Sequence, residues 1–584
     1  MSGPRRRRGR PGLLPALPPL VWLCLFFLIP TALVAVFSAG ESTPFSSTPV
    51  DLAHPTLARY REAASDTFRL VFVNTLELSV VGTALCLGLA FPMAYLITRR
   101  LSGRWKMLAI AAVVIPYWMP FLLRTYSWRI LLGDNGIVNS ALQLDDGLGI
   151  LDTFAGAQLG VVYNYLPLAV LPIAVALDKL DPSLRWAGRD LGASRWRVFW
   201  QVTVPAARPG VIAAALLVFI PLMGDYVTPS ILGGVQTPVV GSLISESFLS
   251  SQDWALGAAA AVLLIGLVGA VLGLGWVLAT LVSRLTSRVR PLDLAARLRP
   301  RSGVSAPRQH RAERDLWGGA LRVFGALLLA TLWAPILVMV AYSFNRGRTL
   351  NVWGGFGTRW YAAIPANEVL VASIGVSLRV AAVSTVLAVA LGTLAGLALA
   401  RSPKLVRGSL STVLLVVFVS PEIVTGVGLL LFFVSGGTLF GDGFVRLVLA
   451  HSVLSIAVVA FTVRARLAGL DPRLADAAAD LGAPPWAILR RVTIPLVVPA
   501  VVAAAILAST FSLDDVVVSS LVSTVGTTTL PVYIFSSMRN GLGGDAATAG
   551  VLVMWLVALS VLALSLIFRR RGQWRAFADG LVGG

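Results

Sequence analysis

A segment of 46 residues occurs twice in this chain, at positions 290 residues apart. Residues 180–225 and 470–515 align without a gap, and 20 of the 46 positions are identical. Many identical positions hold polar or turn-forming residues, namely Asp181/Asp471, Asp190/Asp480, Gly192/Gly482, Trp196/Trp486, Thr203/Thr493, Pro205/Pro495, Pro209/Pro499 and Asp225/Asp515. Two unrelated apolar segments would not share these residue types in register. The chain therefore contains two copies of one module.

The composition places both modules in a membrane. Of 584 residues, 57% are hydrophobic and only 13% are charged, whereas soluble domains carry about 25% charged residues. A crossing of the hydrocarbon core needs about 20 apolar residues. Twelve segments meet this requirement, near 13–37, 70–98, 107–132, 155–177, 205–231, 254–283, 319–343, 371–400, 407–436, 444–465, 496–521 and 547–568. We therefore predict an all-α integral membrane protein with two related modules of six transmembrane helices each.

Clusters of Arg and Lys predict which side of the membrane each connection faces. Basic clusters occupy every second connection, at 5–10, 99–106, 178–203, 284–314, 401–407, 464–493 and 569–575. The connections between them are acidic or polar, as at 133–152 and 541–550. The positive-inside rule then puts both termini in the cytoplasm of a cell (inner or plasma) membrane protein. The net charge of +20 is accordingly interpreted as a topology signal and not as a nucleic-acid-binding surface.

These assignments divide the chain into five parts. We predict a basic cytoplasmic N-terminus at 1–12, a first six-span module at 13–283, an Arg-rich cytoplasmic linker at 284–318, a second six-span module at 319–568 and a cytoplasmic C-terminus at 569–584. The first apolar run is too long for the core of a signal peptide and has no AxA-like exit, so we interpret it as a retained span.

Motifs for catalysis or metal binding are not found in the sequence. The chain has no GxxxxGK[ST] phosphate loop and no nucleophile elbow, so we do not expect it to hydrolyse ATP. Cys24 and Cys86 lie within apolar runs, and the three histidines are scattered along the chain. We predict neither a metal site nor a cofactor bound by this chain.

The repeated connection between the fourth and fifth spans predicts a docking element. Asp-Pro pairs at 181–182 and 471–472 are helix starts. Gly192 and Gly482 would end each short helix in a left-handed turn, and a second helix would carry Trp196 or Trp486. An ordinary interhelical loop would not need to occur in nearly the same form twice.

These loops resemble the EAA loop, pattern EAAxDLGA…P, of the membrane subunits of type I ABC importers. The second copy reads Asp476-Ala477-Ala478-Ala479-Asp480-Leu481-Gly482-Ala483, with Asp in place of the opening Glu. The first copy departs further, because Trp186-Ala187-Gly188-Arg189 precedes Asp190-Leu191-Gly192-Ala193. A salt bridge from the opening position is therefore not expected in the first half.

The resemblance implies a set of partners and contact residues. It implies a coupling helix in each loop, seated on one of two separate ABC ATPase subunits that carry ATP and Mg, and an external solute-binding protein. The residues implied at the ATPase contact are Asp190, Leu191, Gly192, Ala193, Trp196, Asp476, Ala477, Asp480, Leu481, Gly482, Ala483 and Trp486. Residues 124–142, 342–361, 420–426 and 512–520 resemble the two permease subunits of spermidine/putrescine importers, here joined in one chain.

Carboxylates within the predicted spans indicate where cargo would pass. A charged side chain in the membrane costs about 2.5–3.5 kcal/mol on insertion scales, so it needs a partner or a wet path. With nearby aromatic side chains, such carboxylates suit a small organic cation. The predicted path residues are Tyr117, Trp118, Asp225, Tyr226, Glu422, Asp514 and Asp515. Glu77 is interpreted as structural, and Arg124 and Arg379 are the bases that could pair these acids.

Two further expectations concern symmetry. Aligning Pro116 with Pro421 makes Tyr117 the counterpart of Glu422. Pro221 and Pro229 bracket Asp225 and predict a break in the fifth span, whereas Asp515 has no such bracket, so the site is expected to be imperfectly symmetric.

Alternatives remain open at this stage. Asp225 and Asp515 could instead cap broken helices or pair with Arg. The same architecture could import ferric iron or another small solute, since carboxylate and phenol oxygens also suit hard cations. An ion-coupled secondary transporter would use Glu422 as a proton or sodium site, but it would not need the docking loops.

Overall fold

The computed structural model describes residues 14–43, 50–134, 136–143, 147–287, 316–347, 350, 352–471, 473–538 and 542–570. The predicted N-terminus 1–12, most of the linker 284–318, most of the C-terminus 569–584 and Pro472 lie outside these residues. A two-stranded antiparallel hairpin, β1 (Glu41–Ser42) and β2 (Val50–Asp51), follows the first helix.

Each module contains eleven described α-helices, most of which have a counterpart at the same place in the other module. The first module comprises α1 (Leu17–Phe37), α2 (Ala58–Ala63), α3 (Asp66–Arg99), α4 (Gly103–Val114), α5 (Phe121–Leu132), α6 (Ile137–Leu142), α7 (Phe154–Asp178), α8 (Pro182–Asp190), α9 (Arg195–Gly224), α10 (Val240–Leu249) and α11 (Trp254–Ser287). The second comprises α12 (Leu316–Tyr342), α13 (Arg359–Ala363), α14 (Glu368–Arg401), α15 (Lys404–Val419), α16 (Glu422–Ser435), α17 (Gly443–Ala468), α18 (Arg473–Asp480), α19 (Pro485–Asp514), α20 (Val517–Val522), α21 (Leu530–Met538) and α22 (Gly544–Arg570).

The described residues contain ten helices that are long and apolar enough to cross a membrane, or twelve if each of two bent helix pairs counts as one span. The prediction of an all-α membrane protein with two six-span modules is thus confirmed. Two predicted spans are not straight, because 107–132 and 407–436 are bent by 94° and 105°. Two others end early: the predicted spans 205–231 and 496–521 stop at Gly224 and Asp514.

Close helix contacts build the core of each module. In the second module α14 packs along α17. Gly392 faces Val459 and Gly396 faces Val463 one turn later, and a Cβ on either glycine would lie 2.6–2.7 Å from the valine side chain. Small residues allow such close approach of membrane helices, where dispersion contacts drive association. In the first module α3, α7 and α9 form the equivalent core.

The first helix of each module packs against the other module. The Trp22 indole on α1 donates to Ser452 Oγ on α17 at 2.9 Å. Reciprocally, the Trp333 indole on α12 donates to the Ala112 carbonyl oxygen on α4 at 2.9 Å. The two modules are therefore interlocked through their helices as well as joined by the linker.

Candidate functional site

The fifth span of each module breaks at an aspartate. Asp225 follows α9 with φ −72° and ψ 113°, and Asp515 follows α19 with φ −68° and ψ 118°, so both adopt extended backbone conformations. The break is therefore present in both halves, although prolines bracket only Asp225. A break without such a bracket forms at Asp515 because the aspartate itself caps the next helical turn.

The capping hydrogen bonds are equivalent in the two halves. Asp225 Oδ1 accepts from the Thr228 amide at 3.0 Å, and its Oδ2 accepts from Thr228 Oγ1 at 2.7 Å. Asp515 Oδ1 accepts from the amides of Val518 and Ser519 at 2.9 and 3.3 Å. Helix capping, one of the alternatives open from the sequence, is therefore present at both sites. At Asp515 the capping bonds use only Oδ1, so Oδ2 is available for other partners.

His451 is a partner of Asp515 that sequence analysis missed. Its Nε2 lies 3.3 Å from Asp515 Oδ2 and 2.9 Å from Ser519 Oγ, and its Nδ1 lies 2.7 Å from Ser512 Oγ. The imidazole thus ties the end of α19 to the start of α20. The available signal was a polar residue in the middle of an apolar helix, which marks a functional or structural contact in a membrane.

The bent third and ninth spans break at equivalent prolines. Pro120 precedes α5 and Pro421 precedes α16, with ψ values of 130° and 136°. The pairing of Pro116 with Pro421 is therefore wrong, because Pro116 lies within a 3₁₀ turn that precedes the break at Pro120. The structural counterpart of Glu422 is Phe121, not Tyr117. A proline that starts a helix fixes the break.

These four breaks meet in two junctions between the modules. In junction A, the Phe121 amide donates to Asp514 Oδ1 at 2.5 Å, and Asp515 follows in the chain. In junction B, a Cβ on Gly224 would lie 3.0 Å from Pro421 Cβ and 3.5 Å from the Glu422 amide nitrogen, and Asp225 follows Gly224. Each junction therefore holds one capping aspartate and one further carboxylate. In junction A the further carboxylate is Asp514, at the end of α19. In junction B it is Glu422, at the start of the bent span's second helix, α16.

The bases and aromatic residues are distributed unequally around the junctions. Arg124 is 2% exposed, and its guanidinium carbon lies 5.1 Å from the Tyr117 ring centroid and 5.9 Å from that of Phe121. Arg379 is exposed, and its Nε donates to the Gly375 carbonyl oxygen of its own helix. Among the carboxylates of the described residues, none forms an ion pair with Arg379.

The other predicted path residues lie at or beside the junctions. Tyr226 is buried, and its hydroxyl lies 3.3 Å from Ser520 Oγ in the other module. Trp118 lines a small cavity together with Asp514. Glu422 is exposed, as is Glu77 on α3. In the part of the chain that the structure describes, no group of three or more His, Cys, Asp or Glu is arranged to hold a metal ion.

The repeated loops form helix–turn–helix elements, as predicted from their sequence. Gly192 and Gly482 have φ values of +83° and +82°, a region that L side chains rarely adopt. Asp181 accepts from the Ser183 amide at 2.9 Å, and this hydrogen bond lowers the pKa of Asp181. Large apolar side chains next to the turns are exposed, including Leu191, Trp196, Leu481 and Trp486 at 64–89%.

The remaining predicted contact residues are on the same surface. Asp190, Asp476, Ala477 and Asp480 are exposed, and Ala193 and Ala483 are half-buried. Exposed aromatic and aliphatic side chains around a rigid turn form a surface suited to another protein.

Comparison with known proteins identifies the family. The profile described as "Binding-protein-dependent transport system inner membrane component" matches residues 14–287 and again residues 388–572. The chain belongs to this family. Because the domain occurs twice, the resemblance to a fused two-module importer permease is confirmed. The family comprises inner-membrane components, in agreement with the ten to twelve spans.

Individual relatives of this family member are about one module in length. It is 34% identical over 248 residues to the spermidine/putrescine transport system permease protein PotB of Haemophilus influenzae, covering 41% of this chain and 84% of that protein. It is 37% identical over 234 residues to the putrescine transport system permease protein PotI of Escherichia coli, covering 39% and 83%. A solved bacterial ABC transporter involved in the import of the polysaccharide alginate covers 47% of this chain and 94% of its own at 17% identity, with a TM-score of 0.35.

Proposed function

We propose that this permease imports a polyamine, of the spermidine or putrescine class, by alternating access driven by ATP hydrolysis on separate subunits. The observation that carries the cargo assignment is the presence of four carboxylates, Asp225, Glu422, Asp514 and Asp515, at the two junctions between modules. Charge-assisted hydrogen bonds from ammonium groups would satisfy these acids. The PotB and PotI relatives, which are named for spermidine/putrescine and putrescine transport, support the same class.

Two ABC ATPase subunits would bind at the repeated loops, one on the turn at Gly192 and the other on the turn at Gly482. This chain would bind no cofactor, since ATP and Mg belong to those partners. The loops and both termini would lie in the cytoplasm, and a solute-binding protein would deliver cargo on the opposite side. Closure of the ATPase pair would pull the loops together and so move the interlocked modules as two bodies.

The cargo would pass between the modules at the junctions. Breaks in membrane helices free backbone groups that can line a path, and transporters commonly use such breaks at the interface of related repeats. Tyr117, Trp118 and Tyr226 would present aromatic faces to ammonium groups, each contributing about 0.5–2 kcal/mol. In this proposal Asp225 and Asp515 have two roles, since each also caps the next helical turn.

Ferric iron is a second candidate cargo. The Tyr165 hydroxyl donates to Asp225 Oδ2 at 3.4 Å, so phenol and carboxylate oxygens are close together at junction B, and hard cations prefer oxygen ligands. A self-sufficient ion-coupled carrier is less favoured, because it gives no role to two exposed docking turns.

Uptake by the reconstituted transporter tests the function. The full chain, its ATPase and its binding protein would be placed in proteoliposomes with labelled putrescine, spermidine or ferric iron. We expect ATP-dependent uptake of a polyamine and no uptake of iron. Iron uptake alone would replace the cargo assignment. Accumulation against a gradient by the chain alone, without the ATPase, would overturn the transport mechanism.

A further inference from the structure

The two junctions hold equal numbers of carboxylates but unequal numbers of bases. In junction A, Asp515 is paired with His451, and Arg124 is held beside Phe121, whose amide binds Asp514. In junction B, Asp225 accepts hydrogen bonds from Thr228 and Tyr165, and Glu422 has no hydrogen bond or ion pair among the described residues. Among the described residues, no base is paired with a carboxylate of junction B, whereas Arg124 brings a fixed positive charge to junction A.

Arg124 is buried but poorly satisfied by protein groups. Its Nη1 donates to the Pro116 carbonyl oxygen at 3.5 Å, the outer limit of a hydrogen bond, and its Nε has no partner among the described residues. A buried guanidinium has five N–H donors to satisfy and is costly to leave unpaired. Such a group is retained where its charge has a use.

The position of Arg124 connects it to Asp514. The guanidinium carbon of Arg124 lies 5.9 Å from the Phe121 ring centroid, and the Asp514 carboxylate accepts from the Phe121 amide, so both groups are beside one residue. The positive charge of Arg124 acts electrostatically on this carboxylate. Asp514 and Trp118 also line the same small cavity. Arg124 can thus neutralise one acid of the path without closing an ion pair.

The equivalent position in the second module has no charge. Arg124 is the fourth residue of α5, and Thr425 is the fourth residue of α16. The Thr425 hydroxyl donates to Ser420 Oγ at 3.4 Å within its own module. The chain therefore provides a matched pair of positions that differ by one positive charge.

We propose that Arg124 is a specificity-determining residue whose fixed positive charge offsets Asp514 and limits how many cationic groups of a cargo molecule the path accepts. Cargo charge would then be bound chiefly at junction B, by Glu422 and Asp225. This inference rests on the proposed function, because it assumes a cationic cargo with several ammonium groups.

The test compares a trivalent with a divalent polyamine. Labelled spermidine and putrescine uptake would be measured in proteoliposomes with the full complex for wild type, R124Q, R124K and T425K. The quantity of interest is the ratio of kcat/KM for spermidine to that for putrescine. Because every variant receives cargo from the same binding protein, the contribution of that protein cancels in the comparison.

We expect R124Q to raise this ratio by about fivefold, the scale of one partly screened charge interaction of about 1 kcal/mol. R124K, which keeps the charge, should stay near the wild-type ratio, and T425K should lower it. An unchanged ratio in active R124Q, or the same shift in R124K as in R124Q, would overturn the proposal. If R124Q does not assemble, the T425K variant provides the test. A spermidine-to-putrescine ratio equal to that of wild type in T425K would then reject the inference.

The outcomes separate this inference from the proposed function. If wild type takes up neither polyamine, the polyamine assignment fails, and the role of Arg124 in cargo selection fails with it. If wild type takes up both and the ratio does not respond to charge at positions 124 and 425, only the role of Arg124 is rejected.

Discussion

The backbone amide of Phe121 donates to the Asp514 carboxylate at 2.5 Å across the interface between the two modules. One partner starts the second half of a bent span, and the other is the last residue of α19. The pseudo-equivalent contact places Gly224 against Glu422. In the first contact the carboxylate is on the helix of the fifth span of its module, and in the second it is on the bent span. The two related junctions are therefore chemically asymmetric.

Replacement of Asp515 by Asn should separate its two roles. Asparagine keeps an oxygen that can accept from the amides of Val518 and Ser519, but it removes the charge. We expect the complex to assemble normally while polyamine uptake falls at least about tenfold, the loss of one charge-assisted interaction. Uptake assays and size-exclusion chromatography measure the two effects. Wild-type uptake by D515N would remove this carboxylate from the path.

Replacement of His451 by Val, the residue at equivalent position 161, should weaken the contact between α19 and α20. The change leaves the hydroxyls of Ser512 and Ser519 without the imidazole. Loss of such buried partners costs about 1–3 kcal/mol, so we expect a lower Tm in thermal unfolding. T462V is the control, since the Thr462 hydroxyl donates only within its own helix. Equal Tm values for H451V and T462V would show that His451 does not stabilise this region.

Valine at Gly192 and Gly482 should uncouple ATP hydrolysis from transport. Both glycines have positive φ, and a Cβ at either would meet no atom within 4 Å. The penalty is therefore backbone strain, about 1–3 kcal/mol per site, and not a clash. We expect weaker ATPase binding in a pull-down and lost uptake, while binding of the solute-binding protein persists.

A glycine in ordinary helical conformation provides the control for that variant. Gly408 on α15 also has open space around its Cα, but its φ is not positive. G408V should bind the ATPase as wild type does. Normal ATPase binding and uptake by the G192V/G482V double variant would contradict the docking role of the loops.

The interlocked first helices should hold the modules together without the linker. We expect two fragments, obtained by cutting the chain between residues 287 and 316, to co-purify after co-expression. W22F and W333F remove the indole hydrogen bonds to Ser452 Oγ and the Ala112 carbonyl oxygen, each contributing about 0.5–1.5 kcal/mol. The double variant should reduce recovery of the complex.

The matched control for this experiment is W276F, because Trp276 on α11 is 70% exposed. It should leave co-purification unchanged. Failure of the unmodified fragments to associate, or an equal loss with W276F, would show that the cross-module indole bonds do not hold the modules together.

Much of the site could be assigned from local sequence. The Asp-Leu-Gly turns are encoded within each loop, because positive φ at Gly192 and Gly482 and the Asp181 cap depend on neighbouring residues only. The acids at the two junctions could be singled out from the sequence because charge is costly in any apolar span. The counterpart of Glu422 could not be assigned in this way, since Pro116 and Pro120 are both plausible break points and only helix packing selects between them.

Sequence alone determined that this chain has two modules, that they cross a membrane and that each contains the same exposed helix–turn–helix loop. These properties follow from the repeat, from the length of the apolar runs and from the placement of charge, all of which act over short stretches of chain. Tertiary structure decided which residues meet: Phe121 with Asp514, His451 with Asp515, and α1 with the opposite module. Contacts between residues tens to hundreds of positions apart depend on the packing of whole helices, and no local pattern records them.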